Sequence, residues 1–444
     1  MEHNFAVSNL RRTWDRQTRK GHALTRFYAE VERAFLEVRD AKNLAANVAS
    51  SPNVVALGAV ATDQSLKALE ENAERVLGEC LSGTSLTLTA EISSGEFSWN
   101  LTPGRSIGTR QTYTIGQTPS HYFADKILQQ SLSAHHSLQP SSRHSIVANI
   151  LRSIDNFMPT AIIRVDIERF YETIDHATLL RLLDTSELPP TNKRLVRLLL
   201  SEFTALTGSP KGVPTGVGVS SRLAEMYLQA LDYTLMSDSR TSYYARYVDD
   251  ILIVRGLENA DKSTDLQMLA PINASLNALG LKSNATKTAV TRRASNGDLP
   301  SFEFLGYRIS HSNSPAAVLT QRRLDEICGR VDRTFDVWDK RTPTDHGARR
   351  LLLDRLRFLT GNARLSNNKR NAMVGIYFSN PHITDPSCLI ELDLHLQSRA
   401  SSSALQPELA AKVATLSFAD GYKSRRIHRF TPRQLTMIRG AWSD

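Results

Sequence analysis

The chain has 444 residues, 41% of them hydrophobic and 22% charged, and carries a formal net charge of +9. That length and balance suit a globular protein of two or three domains. The three cysteines, Cys80, Cys328 and Cys388, are scattered without ligand spacing, which excludes a disulfide framework and a zinc site and reads best as three buried small hydrophobes. The longest apolar run, residues 54–61, is far short of the roughly 18 residues a membrane span needs. Residues 1–21 are polar and basic with no signal-peptide core, so a cytoplasmic protein without membrane contact is expected. The basic excess gathers at the two ends. Arg11, Arg12, Arg16, Arg19, Lys20 and Arg26 surround a single Asp15, and Lys423, Arg425, Arg426, Arg429, Arg433 and Arg439 follow Asp420 with no acid among them. Such clusters attract a nucleic-acid backbone without reading its sequence, although a solvated face accounts for them equally well.

In chain order, Phe27, Val31, Phe35 and Val38 recur at helical spacing. A small-residue stretch at 50–62 precedes a predicted helix at 64–80, and residues 84–101, TSLTLTAEISSGEFSWNL, alternate like strands. Residues 120–157 read as mostly helical. Residues 161–166, AIIRVD, form a short and nearly all-apolar strand ending on Asp166, followed by IERFYETIDH and the helical ATLLRLLDT. Pro189, Pro190 and the loop GSPKGVPTGVG punctuate the middle. Leu324, Ile327, Val331, Phe335 and Trp338 predict a helix over 321–340 and a last third that is mainly α, with a loop or linker at 398–407.

Residues 243–256, YYARYVDDILIVRG, pose a physical problem. Two strand-like runs flank Asp249 and Asp250, which predicts a hairpin with both carboxylates at its turn. Aspartate tolerates tight turns, but neighbouring carboxylates repel and raise their own pKa unless a cation is present. A divalent metal resolves the conflict. Asp166 ends another buried strand, and if the strands lie side by side Asp166 and Asp249 can hold two Mg²⁺ ions about 4 Å apart, the arrangement used for in-line nucleotidyl transfer.

An ordered set of motifs around these carboxylates resembles the reverse transcriptases, in particular bacterial ones of the retron-like and defence-associated kind. VDIERFY at 165–171 resembles the first catalytic block, with Asp166 a metal ligand, Ile167 beside it at the metal site, and the aromatics Phe170 and Tyr171 at the nucleotide. GVPTGVGVSSRLAEMYLQALD at 212–232 resembles the glycine-rich loop and helix beside template and incoming nucleotide, which brings in Gly212, Pro214, Thr215 and Gly216. YVDD at 247–250 matches the YxDD block, LKSNATKT at 281–288 the following lysine-bearing block, and FEFLGYRI at 302–309 the primer-grip hairpin with Phe304, Leu305, Gly306 and Tyr307. GTRQTYTI at 108–115 is similar to the fingers segment whose arginine, here Arg110, meets the triphosphate. SRHSIVANILRSI at 142–154 resembles the helix that precedes the first block in retron-like enzymes.

The resemblance implies an α+β right-hand polymerase: a mainly helical N-terminal extension over 1–94, fingers and a palm with an antiparallel sheet over 95–310, and an α-helical thumb with the C-terminal basic region over 311–444. It implies RNA-directed DNA synthesis with two Mg²⁺ ions, Mn²⁺ substituting, on an RNA template with dNTPs and a DNA primer or product. A role in phage defence, a dedicated noncoding RNA, and a partner protein or homo-oligomer belong to the same expectation. Asp166, Asp249, Asp250 and Lys287 are the expected catalytic residues.

The residues read by themselves leave alternatives. Lys287 can donate a proton to pyrophosphate or be a solvated surface lysine. Phe170 is expected in the core and Tyr171 at the sugar, where its ring would clash with a ribose 2′-hydroxyl. Asp175 and His176 suit a helix cap. Phe304, Leu305 and Tyr307 can hold a primer end or pack on the palm. Thr215 stands where many reverse transcriptases have glutamine, which puts template choice in question. A template-independent or protein-primed polymerase and a non-catalytic RNA-binding scaffold are the competing functions; the scaffold should have lost one of the three carboxylates, and all are present.

Overall fold

The computed structural model describes residues 4–49, 56–108, 110–135, 142–258, 263–294, 297–340, 345–365 and 372–442. The chain divides into two compact units. One comprises residues 1–139, 169–230 and 278–281, and the other residues 140–168, 231–277 and 282–444. No described helix is long and apolar enough to cross a membrane.

The first unit is mainly helical. Val7–Arg19, Ala29–Ala49, Ala56–Ser94 and Pro119–His135 are followed, after the excursion into the second unit, by His176–Thr185 and Pro190–Thr207. Over 84–94 the expected strands are instead the end of the long helix Ala56–Ser94, and residues 95–101 are neither helix nor strand. Ala73, Leu77, Leu81, Leu88 and Ile92 are buried at helical intervals, whereas Leu86, which strand alternation would bury with Leu88, is 73% exposed. Thr84, the first residue of that stretch, bonds back along the helix from Oγ1 to Cys80 O at 2.9 Å, as Ser82 just before it does from Oγ to Gly78 O at 2.9 Å. Gly95, at φ +87°, ends the helix in a conformation only glycine adopts freely. The chain then runs over Glu202, whose carboxylate accepts the backbone N–H groups of Trp99 and Leu101. A short ribbon, Thr102–Pro103 against Tyr113–Thr114, completes this part.

The second unit is built on a four-stranded antiparallel sheet in the order Thr241–Tyr247, Asp250–Gly256, Thr160–Asp166, Ala289–Arg293. Thr160–Asp166 is buried along its length except at Arg164, as its continuous apolar run requires. Ile162, Leu252 and Val254 on one face pack into a core with Ile146 and Ile150 of the helix Arg143–Ile154. The same core takes in Phe304, Tyr307 and Ile309 of a second sheet, Leu299–Phe304, Tyr307–His311 and Pro315–Leu319, and Phe335, Leu356 and Leu392 of the C-terminal helices.

The last third is less uniformly helical than its periodicity suggests. Gln321–Asp339, His346–Thr360 and Ser387–Ser402 are helices, but Ala372–Gly375, Asn362–Leu365 and Ile427–His428 form a three-stranded sheet among them. Strands of two to four residues are too short to show alternation. The loop expected at 398–407 is shorter, because Leu392 and Leu396 are buried and carry the helix on to Ser402 before Pro407 opens the next one. Of the cysteines, only Cys388 is buried; Cys80 and Cys328 are partly exposed, and all three are free.

Candidate active site

The hairpin forms as expected, with a shift of one residue. Tyr247 pairs with Asp250, so the two-residue turn is Val248–Asp249 and Asp250 opens the second strand. Val248 carries the positive φ, +61°, that lets so tight a turn close, and a β-branched residue there is strained. Asp250 is the register partner of Asp166 on the neighbouring strand. Immediately beyond, Ile167 N donates to Asp249 O at 3.0 Å. The three acidic residues thus meet at one end of the sheet although they are far apart in the chain.

The same end is lashed to the lysine-bearing segment. Glu168 N donates to Lys282 O, and Asn284 N to Asp166 O at 2.7 Å. The Asn284 side chain then accepts from the Thr286 backbone and hydroxyl, an Asx turn that brings Lys287 round. Lys287 Nζ donates to Asp166 Oδ1 at 3.0 Å, so a half-exposed lysine faces a carboxylate that is nearly buried. Asp166 itself retains 7% exposure.

Asp250 has a pKa above the usual carboxylate value. Burial is the main cause, with Asp249 and Asp166 adding repulsion against the opposing effect of Arg164 and Lys287. Arg164, on the same strand face as Asp166, lies 3.7 Å from Asp250 Oδ1, too far for a hydrogen bond, and that oxygen is buried without a donor. A buried carboxylate oxygen without a donor, amid repelling hard-oxygen groups, fits a hard divalent cation. Among the described residues no three Asp, Glu, His or Cys side chains converge on one point in the rotamers seen. The backbone register brings the carboxylates together, and their final aim is a matter of χ rotation.

The other expected residues fall as follows. Phe170 is 2% exposed, a core residue, and Tyr171 beside it is partly exposed. Tyr171 O accepts from Val213 N, and Gly212 N donates to Ile174 O, so the glycine-rich loop is strung along the segment 171–174. Gly212, at φ +91°, has Glu172 backbone close by. Gly216, at φ +102°, leaves no space for a Cβ, which would stand 2.8 Å from Tyr113 O. Thr215 O accepts from Tyr113 N at 2.7 Å, and Pro214 O from the Ser220 hydroxyl at 2.8 Å. Arg110 is exposed and bridges to Ile107. Asp175 caps the helix His176–Thr185 by accepting from Thr178 N at 2.8 Å, while buried His176 bonds to Gly212 O instead. In the hairpin expected to grip the primer, Phe304 and Tyr307 lie in the core, and the turn Leu305–Gly306, both at positive φ, is partly exposed, with Leu305 still packed against that core.

Three residues that no motif singled out belong to this region, Arg143 among them although it lies within the helix at 142–154. Arg164 stands two residues before Asp166, a period-two signal. Arg246 stands two before Val248. Arg143 donates to Leu305 O at 2.8 Å and to Ser379 O at 3.0 Å, holding the Leu305–Gly306 turn from behind.

An antiparallel sheet with paired carboxylates at its hairpin end, set in an α+β chain, defines the fold class of the right-hand polymerases. Residues 122–309 match the family "Reverse transcriptase (RNA-dependent DNA polymerase)". Among solved structures, the chain is similar to apo telomerase from Candida tropicalis truncated from its C-terminal domain, at 14% identity over 44% of this chain and 45% of that one, TM-score 0.34. It is also similar to telomerase from Candida albicans in complex with the TWJ fragment of telomeric RNA, at 13% identity over 67% of this chain and 59% of that one, TM-score 0.38. The chain therefore spans about half the length of these telomerases. No curated protein matches it.

Proposed function

We propose that the protein is an RNA-templated DNA polymerase that joins deoxynucleotides by two-metal nucleotidyl transfer. The reading is carried by one observation: the register that sets Asp166 opposite Asp250, with Asp249 in the adjoining turn, within the segment that matches the reverse transcriptase family. Asp166, Asp249 and Asp250, with Ile167 beside them, would hold Mg²⁺, and Mn²⁺ would serve in its place. When bound, such ions neutralise the charge that develops on the attacking 3′-oxygen and the departing pyrophosphate. Lys287 supplies a movable positive charge and proton for the pyrophosphate, its reach supported by the present bond to Asp166. Tyr171 excludes the ribose 2′-hydroxyl, Arg110 meets the triphosphate, the loop Gly212–Pro214–Thr215–Gly216 borders the incoming nucleotide, and the hairpin Phe304–Tyr307 supports the primer end.

The biological setting we infer is prokaryotic antiviral defence in the cytoplasm, with a dedicated noncoding RNA as template. It rests on the retron-like helix at 142–154 and on the basic clusters at both ends of the chain. The test is to incubate purified protein with Mg²⁺ and each nucleotide set, then sequence the product and any copurified RNA. DNA complementary to a bound RNA is the expected product. DNA of no template origin would move the reading to untemplated or protein-primed synthesis, and bound RNA without synthesis to a scaffold.

A further inference from the structure

The strained turn that carries Asp249 is held by a group to which no role has been assigned. Arg246 is buried, with 6% of its side chain exposed. Its Nε and Nη2 donate to the two oxygens of Asp232, at 2.8 and 2.7 Å, and its Nη1 donates to Val248 O at 3.0 Å. Asp232 lies in the last turns of the helix Ser220–Met236 and also accepts the Tyr244 hydroxyl at 2.5 Å. One planar guanidinium therefore grips a carboxylate with one side of its fork and a backbone carbonyl with the third nitrogen.

The target of that third nitrogen is the significant feature. Val248 sits at φ +61°, where a β-branched residue is strained and persists only if its surroundings over-determine it. Its carbonyl belongs to the peptide plane shared with Asp249, so fixing that oxygen fixes the direction in which Asp249 leaves the turn. A lysine could match the charge of Asp232, but as a point donor on a flexible stem it lacks the rigid fork that serves both partners at once.

We propose that Asp232 and Arg246 are positioning residues: they clamp the Val248–Asp249 peptide in its left-handed turn and so preset the Asp249 carboxylate for a divalent cation. This rests on the reading of Asp249 as a metal ligand. The rival account is an ordinary buried ion pair that ties a helix to a hairpin and contributes stability alone.

The two accounts separate in Mn²⁺ binding to the full chain, followed by electron paramagnetic resonance, with thermal melting alongside. Arg246→Lys is expected to weaken binding about tenfold, the loss typical of removing a support behind a metal ligand. Val248→Gly removes the cost of the positive φ, so in that background the same Arg246→Lys change should weaken binding less than about threefold. Asp232→Asn, which keeps the shape and loses the charge, should weaken binding in the same sense and stands in if Arg246→Lys does not fold. Unchanged Mn²⁺ affinity in Arg246→Lys, or equal losses in both backgrounds, would overturn the clamp. Binding indifferent to Asp249→Asn would overturn the metal reading itself and the clamp with it. Metal binding that depends on both Asp249 and Arg246, in a protein that extends no primer, would uphold the clamp and sink the polymerase reading.

Discussion

At the scale of single residues, Asp249 and Asp250 are adjacent in sequence yet stand in different circumstances. Asp249 is in the turn; Asp250 is in the strand opposite Asp166, desolvated and with one oxygen lacking a donor. Asp249→Asn keeps the shape and removes a hard anionic ligand, so DNA synthesis should fall by about a thousandfold or more in a primer-extension assay while the melting temperature holds. Asp250→Asn should cost activity too, but its effect on the metal-free fold has the opposite sign. The folded pKa of Asp250 is raised, so the native state is penalised once the unfolded carboxylate, at about 3.8, has lost its proton and the native one must follow. Above the folded pKa the penalty is complete; below 3.8 both states are protonated and it vanishes. Asn therefore should raise the melting temperature of the metal-free protein by about 2 °C near neutral pH, with the gain disappearing as pH falls through the carboxylate range. A melting series against pH checks both size and direction. An equal gain at every pH would show that packing, and not charge, is relieved.

At the scale of elements, what is legible in the sequence depends on how much of each element's environment is local. The strand ending on Asp166 and the hairpin after Tyr243 are legible because a nearly all-apolar run has to be buried on both faces, and adjacent acids between an aromatic and a β-branched run fit a turn far better than a strand interior. The turn itself lies one residue earlier than its acids suggest, since nothing in YVDD says that valine, not the second aspartate, takes the positive φ. The end of the helix Ala56–Ser94 looks like strand in the sequence because its threonines carry a strand bias and alternate with leucines, a local preference overridden by burial of Leu81, Leu88 and Ile92 at helical intervals. Arg246 and Asp232 are invisible as a pair, because contact between a helix end and a hairpin depends on tertiary placement. The glycine-rich loop offers a test at this scale. Gly216 combines φ +102° with backbone at 2.8 Å from any added Cβ, beside the bond from Tyr113 N to Thr215 O. Gly216→Ala should cost about 1–3 kcal/mol, from strain and steric displacement together. Hydrogen exchange should quicken at the Tyr113 amide and leave the sheet around Asp166 unchanged, which locates the damage in the loop and the ribbon.

At the scale of the whole molecule, the charge asymmetry poses the question of what the chain's ends do. Lys423, Arg429 and Arg433 are exposed near the C-terminus, whereas Arg426 is neutralised by Asp420 and Arg425 lies over the Tyr377 ring at 4.3 Å. If the first three each neutralise a phosphate of a single-stranded RNA, binding must release counterions in proportion, with a slope of about −0.7 in log K against log salt for each contact. Replacing all three by alanine should make the slope shallower by about 2, from three contacts at that value, and weaken RNAs of different sequence alike. Fluorescence anisotropy with labelled RNAs over a salt series measures the slope directly. Because the three side chains are exposed, the substitutions leave the apolar core intact and the melting temperature should not move. A slope unchanged by the triple substitution would make this a solvated face, and the electrostatic hold on nucleic acid would then have to come from elsewhere in the chain, beginning with Arg12, Arg16 and Arg19, which recur at helical spacing on Val7–Arg19.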